Sequence, residues 1–236
     1  MEVNGHRIRP EEYLRGADLY WSNLDGATLI GATLNGANLY GANINGASLG
    51  GADFGGTTLV GANMRESSLV GADLTGATMC GAHLTDASFV DADLGGVTLV
   101  GADLTNANFT RARLDGTTLA GAVLTGALFK EANLYAASLV AVNATDTSFI
   151  GAYMSAANLA TANLRGANLY QANLEIANLQ GAFADNETVW PDEFDPEAAG
   201  VIFKQDPVTR PPLLWSNWHP HLTGRVVWPT SLGVSD

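Results

Sequence analysis

The chain has 236 residues, a formal net charge of −13 at pH 7 and one cysteine, Cys80. The acidic balance argues against direct binding of nucleic acid, and a single cysteine excludes an intramolecular disulfide framework. The opening sequence MEVNGHRIRPEEYL lacks the apolar core of a signal peptide. No apolar run approaches the roughly 20 residues of a membrane span. These features predict a cytoplasmic protein that contacts neither nucleic acid nor membrane.

The first 13 residues precede the regular part of the chain. Their large side chains of apolar or aromatic character include Val3, Ile8 and Tyr13. A stack of β-coils has an open end that must be protected against end-to-end pairing. Residues 1–13 are therefore predicted to form an N-terminal cap, with these three side chains over the first coil.

Residues 14–182 repeat every five residues, as GATLIGATLNGANLYGANING (26–46) illustrates. Each unit has a large apolar residue, which we call its centre. Of the 34 centres from Leu14 to Leu179, 33 are Leu, Ile, Met or Phe, and Ala144 is the exception. A small residue, most often alanine, stands two positions before each centre. The repeat runs without insertion, so it reflects one uniform structure.

A period of five fits neither a helix nor a flat strand. On a helix, centres five residues apart would scatter around the cylinder, and on a strand they would alternate between faces. All centres point inward if the chain turns a corner every five residues and four sides close a square coil. Glycine at the corner relieves the steric demand of the turn. Successive coils would then stack at the strand spacing of about 4.8 Å.

Units such as ADLTG, ANLYG and ADLTN resemble the A(D/N)LXX repeat of the pentapeptide-repeat family. The resemblance covers about residues 14–182. It implies an all-β fold, a right-handed quadrilateral β-helix. With about 20 residues per coil, the solenoid would have about 8 coils and a length of about 40 Å.

Folding the sequence at a period of 20 residues places equivalent positions in columns. One side then has the centres Phe89, Phe109, Phe129 and Phe149. Their rings are predicted to stack as a ladder in the core. Ala144 leaves a gap in another column, and Val142 is predicted to fill part of it.

Some outward positions are apolar, and two interpretations of them remain open. After the centres of one side come Tyr20, Tyr40, Val60, Cys80, Val100, Ala120, Val140 and Ala160, and the opposite side has Ile30, Val70, Val90 and Ile150. Such residues suit extended backbone by their β-propensity. Alternatively, they form an apolar stripe that binds the chain's own tail or a partner. Tyr20, Tyr40, Val60, Val100 and Val140 are the candidate interaction residues.

Asp53, Asp73 and Asp93 form a carboxylate column on three successive coils, a second candidate surface. Their spacing of about 5 Å is similar to that of the carboxyl pair in a retaining glycosidase, and it also suits a cation site. A flat, solvent-exposed side of the coil has no pocket that could bind and orient a substrate. A solvated ladder, with Arg113 on the next coil, is the favoured interpretation.

Other candidate chemistry is sparse. The four histidines, His6, His83, His219 and His221, have no metal-ligand spacing with cysteine or carboxylates, and Cys80 has no base beside it in sequence. The glycines follow the five-residue period instead of a phosphate-binding pattern. The sequence therefore predicts a protein that is not an enzyme and has no metal, no cofactor and no catalytic residues.

The repeat stops at residue 182, and the remaining sequence divides into two parts. Residues 183–203 are predicted to form a C-terminal cap with Trp190, Phe194 and Phe203 over the last coil and a short helical turn before Gly200. This Trp-Pro…Phe-Asp-Pro…Gly segment resembles the caps of bacterial family members. Residues 204–236 form a tail rich in Pro and Trp, either extended or partly disordered. Dimerisation through the C-terminal region, which occurs in relatives, stays open.

Two functions remain after these exclusions. The first is a structural scaffold that presents a rigid surface to an unknown protein partner. The second follows from the resemblance, because some family members mimic DNA, bind DNA gyrase, and inhibit it or protect it from quinolone-type drugs. The repeats contain 13 acidic and 6 basic residues, a net charge of −7. Duplex DNA of about 40 Å has roughly 24 negative charges, and the repeats lack the Cys- and Phe-rich units of that branch. The scaffold is therefore favoured.

Overall fold

The computed structural model describes residues 2–203. Within them, parallel bridges of single residues join positions 20 apart, from Tyr13 with Thr33 to Asn163 with Phe183. Consecutive bridges begin five residues apart, so each 20-residue coil has four paired sides and lies on the coil before it. Backbone hydrogen bonds join the coils, for example from the Leu34 amide to the Asp53 carbonyl oxygen at 2.6 Å.

Each side of the coil turns two side chains inward, the centre and the small residue two positions earlier. Leu34 and Ala32 are both 0% exposed, and the residue between them points outward because side chains alternate along extended backbone. Threonine replaces alanine at a few inward positions. The hydroxyl of Thr117 donates to the Leu94 carbonyl oxygen at 2.8 Å, so this buried polar group keeps a partner.

The four phenylalanine centres form a single stack inside the coils. The ring centroids of Phe89 and Phe109 lie 4.7 Å apart, those of Phe109 and Phe129 lie 4.7 Å apart, and those of Phe129 and Phe149 lie 5.2 Å apart. The interplanar angle grows from 2° to 6° to 19° in the same order. These separations are close to the distance between paired strands, so each coil contributes one ring.

The last residue of each unit turns the corner in the left-handed backbone conformation. Its φ is 66° at Gly36, 57° at Glu66 and 51° at Ile176. Glycine adopts this conformation without steric conflict, whereas a side chain with a Cβ atom is disfavoured by about 1–2 kcal/mol. This steric demand explains why glycine recurs at the ends of the units.

Replacing Ile176 with glycine is expected to stabilise the protein by about 1 kcal/mol, as measured by urea unfolding. Ile176 is β-branched, has a φ of 51° and is 81% exposed, so its side chain contributes little burial to offset the strain. Ile30→Gly is the matched control, because Ile30 is an exposed isoleucine outside the left-handed positions. That change is expected to destabilise the protein. Equal effects of the two substitutions would contradict the explanation.

A short hairpin forms the N-terminal end. Strands β1 (Glu2–Val3) and β2 (His6–Arg7) pair antiparallel through Asn4 and Gly5, whose φ values are 51° and 78°. Asn-Gly is the favoured pair for a two-residue turn in which both φ values are positive. The side-chain amide of Asn4 donates to the Asp18 carbonyl oxygen at 3.2 Å. This bond ties the hairpin to the first coil.

The side chains predicted for the N-terminal cap take different places. Ile8 is buried, and Val3 packs against the core. Tyr13 is 69% exposed, so its predicted place over the first coil is wrong. It occupies the outward position immediately before the centre Leu14, where the alternation of side chains directs it to solvent.

The coil geometry continues past residue 182 with a change of register. Val189 pairs with Asn168, 21 residues earlier, so this side contains one extra residue. The carboxylate of Asp185 accepts hydrogen bonds from the Thr188 amide and hydroxyl at 3.0 Å each and stabilises the longer turn. Strand β3 (Phe183–Ala184) then pairs in parallel with β4 (Ile202–Phe203), the last described residues.

Between β3 and β4 the chain folds over the last coil. Trp190 and Phe194 pack against the core, and their rings stack with centroids 5.4 Å apart. The carboxylate of Asp195 accepts a hydrogen bond from the Ala198 amide at 3.0 Å, which caps the predicted helical turn before Gly200. Phe203 is 40% exposed, so its predicted place among the capping side chains is wrong. The tail of residues 204–236 lies outside the described residues.

Candidate interaction surface

One corner of the coil carries apolar side chains along most of its length. This apolar corner consists of Tyr20, Tyr40, Val60, Cys80, Val100, Ala120, Val140 and Ala160. Tyr20, Tyr40 and Val100 are 53%, 46% and 41% exposed, and Val60 and Val140 are half-buried. The five candidate interaction residues are therefore all accessible, and they lie in one column because the coil repeats every 20 residues.

Trp21 extends the apolar corner at its N-terminal end, and the sequence analysis missed it. Its ring packs edge-on against Tyr40, with centroids 5.7 Å apart and planes at 77°, and it is 64% exposed. Trp21 occupies a corner position with a φ of 51°. The signal in the sequence was the unit ADLYW, which has tryptophan in the position that glycine takes in ANLYG. Tyr20, Trp21 and Tyr40 together are called the aromatic cluster.

Two other sides of the coil present apolar groups. The opposite corner includes Ile30 and Val70, 49% and 43% exposed, but Lys130 interrupts its column. Tyr135 and Tyr153 stack with centroids 6.1 Å apart nearer the C-terminal end and are 48% and 45% exposed. Both groups are smaller than the apolar corner.

The carboxylates of the predicted column act as acceptors for turns of the backbone. Asp53 accepts a hydrogen bond from the Gly55 amide at 2.9 Å, Asp73 accepts one from the Thr75 amide at 2.9 Å, and Asp93 accepts one from the Gly95 amide at 3.0 Å. Asn and Asp form such turns readily, which explains their recurrence before the centres. Each carboxylate thus has a structural role.

Arginines on the adjoining coils pair with carboxylates. Arg113 contacts Asp93 at 2.6 Å, and Arg111 holds Asp91 through two hydrogen bonds of 2.7 and 2.6 Å. The hydrogen bond from Arg111 lowers the pKa of Asp91. These pairs are exposed to solvent, where ion pairs contribute little to stability. They reduce the negative charge of this side and resemble ordinary surface pairs.

Asp103 lies on a different side of the coil, one coil above His83. Burial would raise the pKa of Asp103, but hydrogen bonds from Thr105 and Thr85 and the nearby His83 outweigh it and lower the pKa.

Within residues 2–203 no group of three or more His, Cys, Asp and Glu side chains is arranged to hold a metal ion. His219 and His221 lie outside the described residues. The same range contains no helix long and apolar enough to cross a membrane.

The comparison with protein families identifies the class to which this fold belongs. The sequence model of the pentapeptide repeats matches eight copies between residues 13 and 181. The chain belongs to the pentapeptide-repeat family, and the resemblance of its A(D/N)LXX units is confirmed. Members of this family fold as right-handed quadrilateral β-helices, and bridges 20 residues apart are consistent with that fold.

Three solved structures illustrate the similarity. HetL, a pentapeptide repeat protein involved in heterocyst differentiation regulation from the cyanobacterium Nostoc sp. strain PCC 7120, is 31% identical with a TM-score of 0.64, over 81% of this chain and 88% of HetL. A pentapeptide repeat protein from the Arabidopsis thaliana thylakoid lumen is 35% identical over 44% of this chain and 68% of its own, with a TM-score of 0.30. The plasmid-mediated fluoroquinolone resistance protein QnrB1 is 17% identical over 75% of this chain and 92% of its own, with a TM-score of 0.47. A comparison with functionally curated proteins finds no match.

Proposed function

We propose that this protein is a non-enzymatic scaffold that binds a protein partner along its apolar corner. The observation that carries the proposal is the aromatic cluster, whose three side chains are each about half exposed or more, at 53%, 64% and 46%. Trp and Tyr contribute disproportionately to binding energy at protein interfaces. Contiguous apolar side chains left open to water mark interaction sites.

The backbone beneath the cluster is fixed by the pairing of coils. The Trp21 amide donates to the Tyr40 carbonyl oxygen at 2.8 Å, and the Gly41 amide donates to the Val60 carbonyl oxygen at 3.0 Å. A partner would therefore meet a surface that loses little conformational freedom on binding, and such preorganisation increases affinity. The half-buried Val60 continues this surface along the corner.

HetL, to which this chain is similar, is involved in heterocyst differentiation regulation, and a regulatory role is consistent with a scaffold that binds a protein partner.

Affinity capture with matched variants tests the proposal. The triple variant Tyr20→Ser, Trp21→Gly, Tyr40→Ser removes the aromatic cluster, and the double variant Tyr135→Ser, Tyr153→Ser removes exposed rings from another side. Proteins captured from an extract of the source organism are quantified by mass spectrometry, and circular dichroism checks the fold. We expect a partner that wild type and the double variant retain and the triple variant loses. Equal capture by all three would refute the proposed surface.

A DNA mimic that binds gyrase or topoisomerase is the second candidate, favoured by the net charge of −13. A mimic needs a dense array of negative charge along its length. The repeats have a net charge of −7, against roughly 24 charges on a duplex of about 40 Å. Arg111 and Arg113, which that net charge includes, lie directly against Asp91 and Asp93, so the negative charge of that side is neutralised locally.

The purified protein is accordingly expected to leave ATP-dependent supercoiling by a bacterial gyrase unchanged at tens of micromolar. The assay is run with and without a fluoroquinolone, and over a range of salt concentrations. Inhibition or drug protection at low micromolar protein that disappears at high salt would identify a charge mimic, because screening weakens such binding. That result would replace the scaffold with the second candidate.

A further inference from the structure

The tryptophan of the aromatic cluster lies flat against the next coil. A Cβ atom built on Gly41 would stand 2.7 Å from Cε3, 2.7 Å from Cζ3 and 2.9 Å from Cδ2 of Trp21. These three atoms belong to the six-membered ring, and their nearly equal distances mean that one face of the ring covers Gly41. Gly41 is buried as a result, while Trp21 is 64% exposed. The opposite face of the ring is therefore open to solvent.

Two acidic residues lie close to Trp21 in the sequence, Asp18 on the side before the apolar corner and Asp25 at the next corner. Asp18 and Asp25 lie three residues before and four residues after Trp21. The Asp18 carboxylate accepts a hydrogen bond from the Asn38 side chain at 3.1 Å, and that of Asp25 accepts bonds from the Asn45 amide and side chain at 2.8 and 3.0 Å. Neither carboxylate has a salt bridge within the described range 2–203. Because their partners are neutral amides, both keep their charge available to a ligand.

The repeats place no positive charge on this part of the surface, and the nearest basic residue outside them is Arg7, in the hairpin that Asn4 ties to Asp18. No lysine or arginine in residues 14–182 occupies the apolar corner or the outward positions of the two sides that meet there. The six basic residues of the repeats all stand on the other corners or sides: Arg15, Arg65, Arg111, Arg113, Lys130 and Arg165. A cationic group approaching the aromatic cluster would thus encounter attraction from the carboxylates and from the ring.

We propose that the aromatic cluster binds an arginine side chain on a basic segment of the protein partner. The inference rests on the proposed function and specifies the chemistry of that partner. The guanidinium group stacks on the open face of Trp21, the best ring for a cation–π contact, and Asp18 and Asp25 add electrostatic attraction. Tyr40 and Gly41 hold the ring in place, so the site is preorganised.

Titration of the full-length ¹⁵N-labelled protein with two peptides tests the inference. One peptide is acetyl-Gly-Arg-Gly-Arg-Gly-amide, and the other has citrulline, the neutral isostere, in place of both arginines. The indole N–H resonance of Trp21 is assigned by its loss in Trp21→Gly. We expect a saturable shift of this resonance with the arginine peptide and none with the citrulline peptide. Equal shifts with both peptides, or no shift with either at millimolar concentration, would overturn the inference.

Variants resolve the contributions of the ring and of the charge. Glycine suits the corner conformation, so Trp21→Gly is expected to fold and to bind the arginine peptide about tenfold more weakly than wild type. Trp21→Phe is expected to retain part of the affinity. Asp18→Asn with Asp25→Asn is expected to reduce both the affinity and its dependence on salt. Tyr135→Ser is the remote control and should leave binding unchanged. Equal affinity for wild type and Trp21→Gly would also exclude the ring as the site.

The two proposals fail in distinguishable ways. If the captured partner depends on the aromatic cluster but the arginine peptide does not bind, the corner recognises a neutral partner and the scaffold function stands. If the arginine peptide binds at Trp21 but capture is the same for all variants, the cation site exists and the apolar corner is not the scaffold's interface.

Discussion

Replacing Phe109 with alanine is expected to lower the free energy of unfolding by about 3–5 kcal/mol. The ring of Phe109 is fully buried and stacks on Phe89 and Phe129 at 4.7 Å on each side. The substitution removes two aromatic contacts, each contributing about 0.5–1.5 kcal/mol beyond burial. The neighbouring coils cannot close the cavity, because the backbone hydrogen bonds fix their separation. Urea unfolding followed by circular dichroism measures the loss.

Two further variants separate stacking from burial. Phe109→Leu should be much milder than Phe109→Ala, because leucine already occupies the same column at Leu49 and Leu69. Phe54→Ala removes a fully buried ring from another side, where the centres one coil away on either side are leucines. It should therefore cost less than Phe109→Ala by about 1–3 kcal/mol, the contribution of two aromatic pairs. Equal losses from the two alanine variants would show that stacking adds nothing to burial here.

The repeating part of the fold could be predicted because every unit carries the same information. The alternation of Ala32, Thr33 and Leu34 sets which side chains point inward, and the glycine at the end of the unit sets the corner. One unit is ambiguous, since alternation alone also fits a straight strand. The uninterrupted period removes the ambiguity, because only a turn after each unit keeps every centre inside. Residues 14–182 thus follow from local rules applied many times.

The ends of the solenoid and the aromatic cluster were harder to predict from the sequence, because each depends on contacts that occur only once in the chain. The repeat does not indicate that Phe203 would be exposed or that one extra residue would precede Val189. The importance of Trp21 depends on the ring packing over Gly41, a residue 20 positions away and identical to glycines at other corners. A tryptophan in a glycine position was visible in the sequence, but its orientation and exposure required the coil geometry.

Val142 and Ala144 are expected to behave as a compensating pair. Both are buried, at 1% and 0% exposure, where the same side of the coils directly before and after has alanine and leucine. The bond from the Val142 amide to the Leu139 carbonyl oxygen is 3.4 Å, longer than the 2.8–3.3 Å of its counterparts. Val142→Ala should cost about 2 kcal/mol by leaving a cavity. Ala144→Leu should cost about 1–3 kcal/mol by overpacking.

The double variant Val142→Ala, Ala144→Leu restores the common unit and should recover most of the lost stability. Unfolding of all four proteins in urea gives the interaction energy, which we expect to be about 2–3 kcal/mol in favour of the double variant. The reverse substitutions at the equivalent positions one coil later, Ala162→Val and Leu164→Ala, create the same arrangement there. The stability lost by each single variant should again be recovered in the double variant. Additive effects in both cycles would show that Val142 does not fill the space left by Ala144. The gap would then persist as a cavity in the core, because buried backbone pairing prevents the coils on either side from approaching.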